Sequence, residues 1–361
     1  MKQLLKNFTK KSKKRFIQYI LGLILNPEKN TCSKIAKFFG IKHDSLYRIL
    51  WKTGFSLFIF SEINLAIANY FSKEKRGWLI IDDTLMLKPF IKFLAGVYDV
   101  YNVVLSRPDR GLCLVVIAWS NGNVTISLMF EFMYHKDLVG KDYKTKTEIA
   151  KLMILKLLGK ISFRYILFDG HYSTIEMLKF LCEMRIFFIA KIARNRKIKT
   201  KDGIFERLDK HPLLKLLRNR RSKKVRAHYN DMSLYFSSHK RKNKQNEYAF
   251  TYIVSNIKLD SKKYLEIYKD RWAIETMFRT MKQYLGFSHC QCIGLERQKA
   301  HIYMVFIGYS FLEKEKHENS FKCPEDALKH LQKVKSSVAI DRISAFSENF
   351  QCFAQVLYLR K

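Results

Sequence analysis

Two short apolar runs in this chain end in aspartate. Trp78-Leu-Ile-Ile81 leads into Asp82 and Asp83, and Tyr165-Ile-Leu-Phe168 leads into Asp169. In open α/β sheets, ligands gather outside the carboxyl ends of the strands, so Asp83 and Asp169 would meet there if their strands are neighbours. Two carboxylates side by side repel unless a cation lies between them, and a hard cation such as Mg2+ takes oxygen ligands. Taken singly, each aspartate also reads as the end of a strand or the start of a turn, Asp169-Gly170 being an ordinary turn dipeptide.

A third acid stands far down the chain. Apolar spacing predicts one helix from about 261 to 285, and on it Tyr268, Arg271, Glu275, Arg279 and Lys282 fall within about 80° of one another. Ile274, Met277, Phe278, Met281 and Leu285 form a separate apolar face, while Lys269, Thr276, Thr280 and Gln283 point toward solvent. Asp270 fits neither group. Arg271 with Glu275 and Glu275 with Arg279 are i,i+4 pairs, so helical ion pairing alone would account for part of the stripe. It does not account for the excess of cations, nor for Tyr268 and Lys282 standing in line. A phosphate backbone along the helix does, because Arg holds a phosphate by paired hydrogen bonds, Lys as a point charge and Tyr through its hydroxyl.

These residues need a frame. From Gly77 onward the pattern is strand-rich: the run into Asp83, then Leu112–Trp119 and Val124–Phe132 around a turn at Ser120-Asn-Gly-Asn123, a hairpin signal. A helix at about Lys144–Leu158, the strand Tyr165–Asp169, a helix at about Ser173–Met184 and a strand Arg185–Ala190 follow. Strands alternating with helices predict an α/β sheet. Residues 191–247 are strongly basic, and Val225–Ser237 alternates like a strand pair; this reads as a β-rich insertion facing DNA, the plainer reading being a solvated loop. Phe250–Asn256 returns to strand, and a helix runs from Leu295 to Lys314. The rest, to Lys361, reads as helical.

Residues 1–70 read as a helical unit. Within it Ser33–Lys52 fits a helix-turn-helix. Ala36 allows close helix approach, Gly40 makes the turn and Leu46 packs the second helix back. That helix, about Asp44–Lys52, would present Ser45, Tyr47, Arg48 and Lys52 to DNA. An ordinary helical hairpin has the same spacing.

The bulk composition points the same way. Lys and Arg total 67 against 32 Asp and Glu in 361 residues, a formal charge of +35, and the simplest compensation is a polyanion. A hydrophobic content of 48% excludes a disordered chain. The longest apolar stretches, such as Phe16–Leu25, fall short of the about 20 residues a spanning helix needs, and no signal peptide follows the basic start; the reading is cytoplasmic, with no membrane. The 7 cysteines are scattered, which suits free thiols. Cys290 and Cys292 beside His289 have C-x-C spacing, not the usual zinc pair.

The spacing Tyr268-x2-Arg271-x3-Glu275-x6-Lys282 resembles the Y-(2)-R-(3)-E-(6)-K signature of the bacterial insertion-sequence transposases grouped around insertion sequence four. Asp83-Thr84 after Leu79-Ile-Ile81 is similar to the first-aspartate motif of that family, and Asp169-Gly170-x-Tyr172 to the second. The resemblance spans roughly Leu79 to Lys282. It implies a DDE transposase with a ribonuclease H-like mixed sheet at 71–290, flanked by helices and interrupted by the basic insertion at about 191–247. The helical unit at 1–70 and a helical C-terminal region at 291–361 would lie outside it. Asp83, Asp169 and Glu275 would bind two Mg2+ ions, Mn2+ being a substitute. Tyr268, Arg271 and Lys282 would grip DNA near the cut. Arg279 stands where the family often has another cation, and Trp272 would stack on a displaced base.

The partners implied are double-stranded DNA at the element ends and target, with a homodimer in the complex. Asp82 competes with Asp83 for the metal, since adjacent strand residues face opposite ways; the following Thr84 favours Asp83. A metal-dependent nuclease without strand transfer, or a helix-turn-helix DNA-binding regulator, would share parts of this pattern. Arg271→Ala and Lys282→Ala should each weaken DNA binding and flatten its salt dependence in a titration of affinity against ionic strength. An unchanged slope would return these side chains to helix ion pairing.

Overall fold

The computed structural model describes residues 10–28, 30–54, 57–89, 94, 96–102, 106–216, 221–242, 248–334, 341–343 and 345. The expected helical tail beyond 345 lies outside them. The described residues begin with four helices: α1 (Lys10–Leu25), α2 (Cys32–Phe38), α3 (His43–Gly54) and α4 (Leu57–Ser72). Thr31 caps α2, its side chain accepting from the backbone N–H of Lys34. The turn that follows needs a left-handed residue, and Gly40 supplies it at φ +60° while Ile41 donates its N–H to Ala36. Ala36 and Leu46 are buried between α2 and α3, the helix-turn-helix arrangement their spacing predicts.

The sheet begins at β1 (Gly77–Leu87), whose Leu79, Ile80 and Ile81 are all fully buried. An unbroken apolar run suits a central strand covered on both faces. Two antiparallel neighbours follow in sequence: β2 (Tyr98–Asn102) pairs with β3 (Arg107–Ser120), and β3 pairs with β1 and with β4 (Thr125–Met133). The β3–β4 turn is closed by the Asn121 side chain, which accepts from the N–H groups of Asn123 and Val124, both at 3.0 Å. After α5 (Lys136–Val139) comes α6 (Lys146–Leu157), started by a capping box in which Thr145 and Glu148 satisfy each other's backbone N–H. Then β5 (Phe163–Phe168), α7 (Ile175–Glu183) and β6 (Phe188–Ile192) form parallel crossovers beside β1. The core order β4-β3-β1-β5-β6, antiparallel on one side and parallel on the other, is ribonuclease H-like.

The strands expected within the basic insertion are present: β7 (Lys197–Thr200), β8 (Phe205–Arg207), β9 (Ser222–Tyr229) and β10 (Met232–Lys242). They do not stand apart. β11 (Tyr248–Ser255) pairs with β6 on one edge and with β10 on the other, so all belong to one 11-stranded sheet.

The helix expected over 261–285 is two helices, α8 (Ser261–Lys269) and α9 (Trp272–Gln283). At the junction the N–H groups of Asp270 and Arg271 bond three residues back, to Ile267 and Tyr268, so the winding tightens for one turn. Thr280, expected at the solvent face, is buried and its hydroxyl donates to Glu325. That acid lies on α11 (Pro324–Lys333), which follows α10 (Leu295–Glu318). The long α10 is buried over most of its length, packing against α1, α3, α4, α11 and β4. The helices from both chain ends therefore share one layer. Among the described residues no helix is long and apolar enough to cross a membrane.

His301 on α10 fixes that layer to the site. Its Nδ1 accepts from the Tyr19 hydroxyl at 2.8 Å and its Nε2–H donates to the Gly286 carbonyl at 3.0 Å, just after α9. The ring is fully buried, and that burial pushes its pKa down to about 3. A lowered histidine pKa contributes stability above the unfolded value and loses it as pH falls through the folded one. In urea titrations the wild-type midpoint should fall more steeply between pH 6.5 and 4 than that of His301→Gln. Parallel curves would show that His301 does not carry the acid sensitivity.

Candidate active site

The parallel strands set the site. On β1 and β5, Ile81 lies beside Phe168, and on β5 and β6, Phe168 lies beside Ala190. The next residues, Asp82, Asp169 and Lys191, therefore stand in a row just past the last parallel pairs of three adjacent strands. After Asp169 the chain turns sharply: the His171 N–H donates to Asp169 Oδ1 at 2.8 Å and the Tyr172 N–H to the Asp169 carbonyl at 3.2 Å. Such a turn holds a carboxylate at the strand tip.

The pleat separates Asp82 from Asp83. Asp82 faces α9, where Arg271 Nη1 donates to its Oδ2 at 2.8 Å. The other arm of the same guanidinium donates to Glu275 Oε1. Arg271 thus bridges the first and third acids, its side chain only 13% exposed. Asp83 faces the other way, toward α6. Lys146 Nζ donates to it at 2.7 Å and the Tyr172 hydroxyl at 3.2 Å. The sequence reading gave the metal to Asp83; in the structure the carboxylate that shares Arg271 with Glu275 is that of Asp82.

Burial raises the Asp82 pKa to about 7, with further upward pushes from Asp83 and Asp169 opposing the Arg271 charge. One guanidinium does not offset the loss of solvent around this carboxylate. Tyr268 lies against Arg271, its ring centroid 5.7 Å from the guanidinium carbon, and burial lifts its phenol to about 12. It stays a neutral hydrogen-bonding group.

Beside these acids opens a cleft of about 630 Å3. Asp169, Lys191, Tyr268, Arg271 and Trp272 line it, together with Lys269 from α8 and His239, Arg241 and Thr251 from β10 and β11. Trp272 is 55% exposed, an aromatic surface at the cleft mouth. Arg279 and Lys282 are exposed on α9 and do not line the cleft. The cleft thus gathers Asp169, Tyr268, Arg271 and Trp272 from the residues singled out in the sequence. It adds Lys191, His239 and Arg241. Lys191 carried a signal, since its apolar strand ends in a charge as the two aspartate strands do. Arg241 belongs to the basic stretch 191–247 read as facing DNA, but His239 carried no signal, because nothing local tells that β10 reaches the core sheet.

As they stand, no three His, Cys, Asp or Glu side chains among the described residues are placed to hold a metal ion together. At the acid cluster the reason is visible: Arg271 lies between Asp82 and Glu275. Cys290 and Cys292 are buried near Cys32, and the carbonyls of Ser288 and Cys290 receive Lys88 Nζ at 2.9 and 2.6 Å. That segment braces β1 against the α9–α10 turn.

The sequence matches the family model of the transposase DDE domain over residues 117–311 and that of the DDE superfamily endonuclease over residues 3–212. The first match includes Asp169 and Glu275 and begins after β1; Asp82 and Asp83 fall within the second. No curated protein matches the chain. Each family match covers more than half of the 361 residues, on a fold whose strand order is that of a DDE nuclease core. The chain belongs to the DDE transposases and is a nucleic-acid-cleaving enzyme.

Proposed function

We propose that this protein is a DNA transposase of the insertion-sequence-four-like group, which cuts the ends of an insertion sequence and joins them to target DNA. In this reading Asp82, Asp169 and Glu275 are the metal ligands, Asp82 taking the place that the sequence alone gives to Asp83. The observation that carries it is the bridge of Asp82 and Glu275 through one guanidinium, beside an Asp169 from the adjoining strand.

The donor set fits hard divalent cations, Mg2+ with Mn2+ as substitute: every ligand is a carboxylate, and Asp82 remains undercompensated with Arg271 at its side. Bound there, two such ions would activate the attacking hydroxyl and stabilise the leaving oxygen of an in-line displacement. The protein's own groups have separate tasks. Arg271 matches a phosphate as well as it matches two carboxylates, because its planar fork presents paired donors. As DNA enters the cleft, the guanidinium turns from Asp82 and Glu275 to the backbone and frees both acids. Tyr268 supplies a neutral hydroxyl to the same strand, and Lys282 and Arg279 add cationic contacts along α9. Trp272 offers a face on which a displaced base stacks. No serine or cysteine nucleophile is required. Pairing two element ends calls for a homodimer on DNA, acting in the cytoplasm.

Cleavage of duplex DNA in Mg2+ by single-residue variants tests the reading. Asp82→Asn, Asp169→Asn and Glu275→Gln should each lower cleavage by about 1000-fold or more while leaving DNA binding intact. Asp83→Asn should keep measurable cleavage. The reverse ranking of Asp82→Asn and Asp83→Asn would return the ligand role to Asp83. Cleavage that persists in Glu275→Gln would overturn the triad. With a pre-cut end, joined product is expected; intact cleavage without joining would make the enzyme a nuclease that does not transfer strands.

A further inference from the structure

A second concavity lies on the basic insertion, about 800 Å3 in volume, where β9 meets the start of α8. Arg221, Ser222, Lys223 and Lys224 border it from the strand, Ser261 and Lys262 from the helix. Lys224 is already engaged, donating to the Leu259 carbonyl at 2.6 Å and standing 3.8 Å from Asp260. Arg221, Lys223 and Lys262 pair with no acidic side chain among the described residues. Three uncompensated cations around a concavity repel one another, and the arrangement is stabilised when an anion with several charges enters.

This groove is tied to the catalytic cleft. Ser222 on β9 is the direct cross-strand partner of His239 on β10, and His239 lines the cleft. Paired residues of neighbouring strands share one face of the sheet, so Ser222 and Lys224 lie on the face that carries His239, while Lys223, one residue out of phase, emerges on the other; the groove thus wraps the start of β9 beside α8. Between them lies α8, whose first residues border the groove and whose Leu265, Tyr268 and Lys269 border the cleft. Nine residues of helix span about 13 Å, or about four base steps of duplex.

We infer that the groove is a second contact for the same DNA, holding the sugar-phosphate backbone about four base pairs from the phosphate that lies in the cleft. A single duplex then bears on both ends of α8. The acids handle one phosphate, and Arg221, Lys223 and Lys262 fix the direction in which the duplex leaves. The groove reads no sequence; it sets register and adds counterion release.

The inference rests on the cleft being where the scissile phosphate sits, and its test is independent of the chemistry there. Binding of a 24-base-pair duplex to the full chain is measured by anisotropy in the absence of divalent ions, over a series of salt concentrations. One variant carries Arg221→Gln, Lys223→Gln and Lys262→Gln. A second removes the same charge from α11 and its approach, with Lys322→Gln, Lys329→Gln and Lys333→Gln, all exposed positions. Matching urea midpoints establish that both fold. The groove variant should bind about tenfold more weakly at 0.1 M salt, with a log–log salt slope shallower by about 2 to 3. The charge-matched variant should lose no more than about twofold. Equal losses in the two variants would reduce the groove to a share of the net charge, and wild-type binding by the groove variant would remove it from the DNA path. Either result leaves the carboxylate variants' cleavage to be judged separately.

Discussion

One guanidinium decides how this site can exist. Carboxylates from two distant segments, Asp82 on β1 and Glu275 on α9, converge next to Asp169, and Arg271 stands between the first two. Without a cation there, burial and mutual repulsion would drive the acids apart or leave them protonated, which is the direction in which Asp82 is already pushed. Arginine suits the position because its charge does not titrate and its fork meets two oxygens at once. The short break between α8 and α9 matters for the same reason. It comes at Asp270 and Arg271, so Arg271 begins a new helix four residues before Glu275 and reaches both acids from one end of α9.

The tandem aspartates illustrate how a strand divides labour. Asp82 looks to Arg271. Asp83, one residue on, is held by Lys146 at the start of α6 and by the hydroxyl of Tyr172, which lies two residues past the Asp169-Gly170 turn. Tyr172 is almost wholly buried, so this bond is protected from water and ties the loop of the second acid to the strand of the first. Two neighbouring acids of identical type thus make different bonds, one to Arg271 and the other to Lys146 and Tyr172 behind it.

Much of this was legible in the sequence because periodicity reports faces. The apolar run before Asp82 predicted a strand of an α/β sheet, the Asn-Gly turn predicted the β3–β4 hairpin, and the Ala36, Gly40, Leu46 spacing predicted the turn between α2 and α3. Periodicity did not reveal which of Asp82 and Asp83 faces inward, since a run buried on both sides has no polar face to mark the phase. It missed the break at Asp270, where the dihedral angles stay helical and only the hydrogen bonds shift. The short β2 was missed as well. The largest gap lay in long-range pairing. Nothing local in β9 or β10 tells that they extend the core sheet through β11, and so nothing placed His239, Arg241 or the groove around Arg221 beside the acids.

That extension of the sheet gives the formal charge of +35 a geometry. At the cleft, Asp169 shares the walls with Lys191, Lys269, Arg241 and Arg271, and Arg271 also answers Asp82 and Glu275 beside it. In the groove at the other end of α8, Arg221, Lys223 and Lys262 pair with no acidic side chain among the described residues. A uniformly basic surface would hold DNA in any orientation, since phosphate contacts carry no direction by themselves. A balanced patch next to an unbalanced one does carry direction. The backbone is drawn most strongly to the insertion, and the phosphate over the acids is the one that meets repulsion unless Arg271 turns to it and cations take its place. Placing the surplus charge beside the acids, and not upon them, lets the basic insertion attract a polyanion while Arg271 remains shared between Asp82 and Glu275.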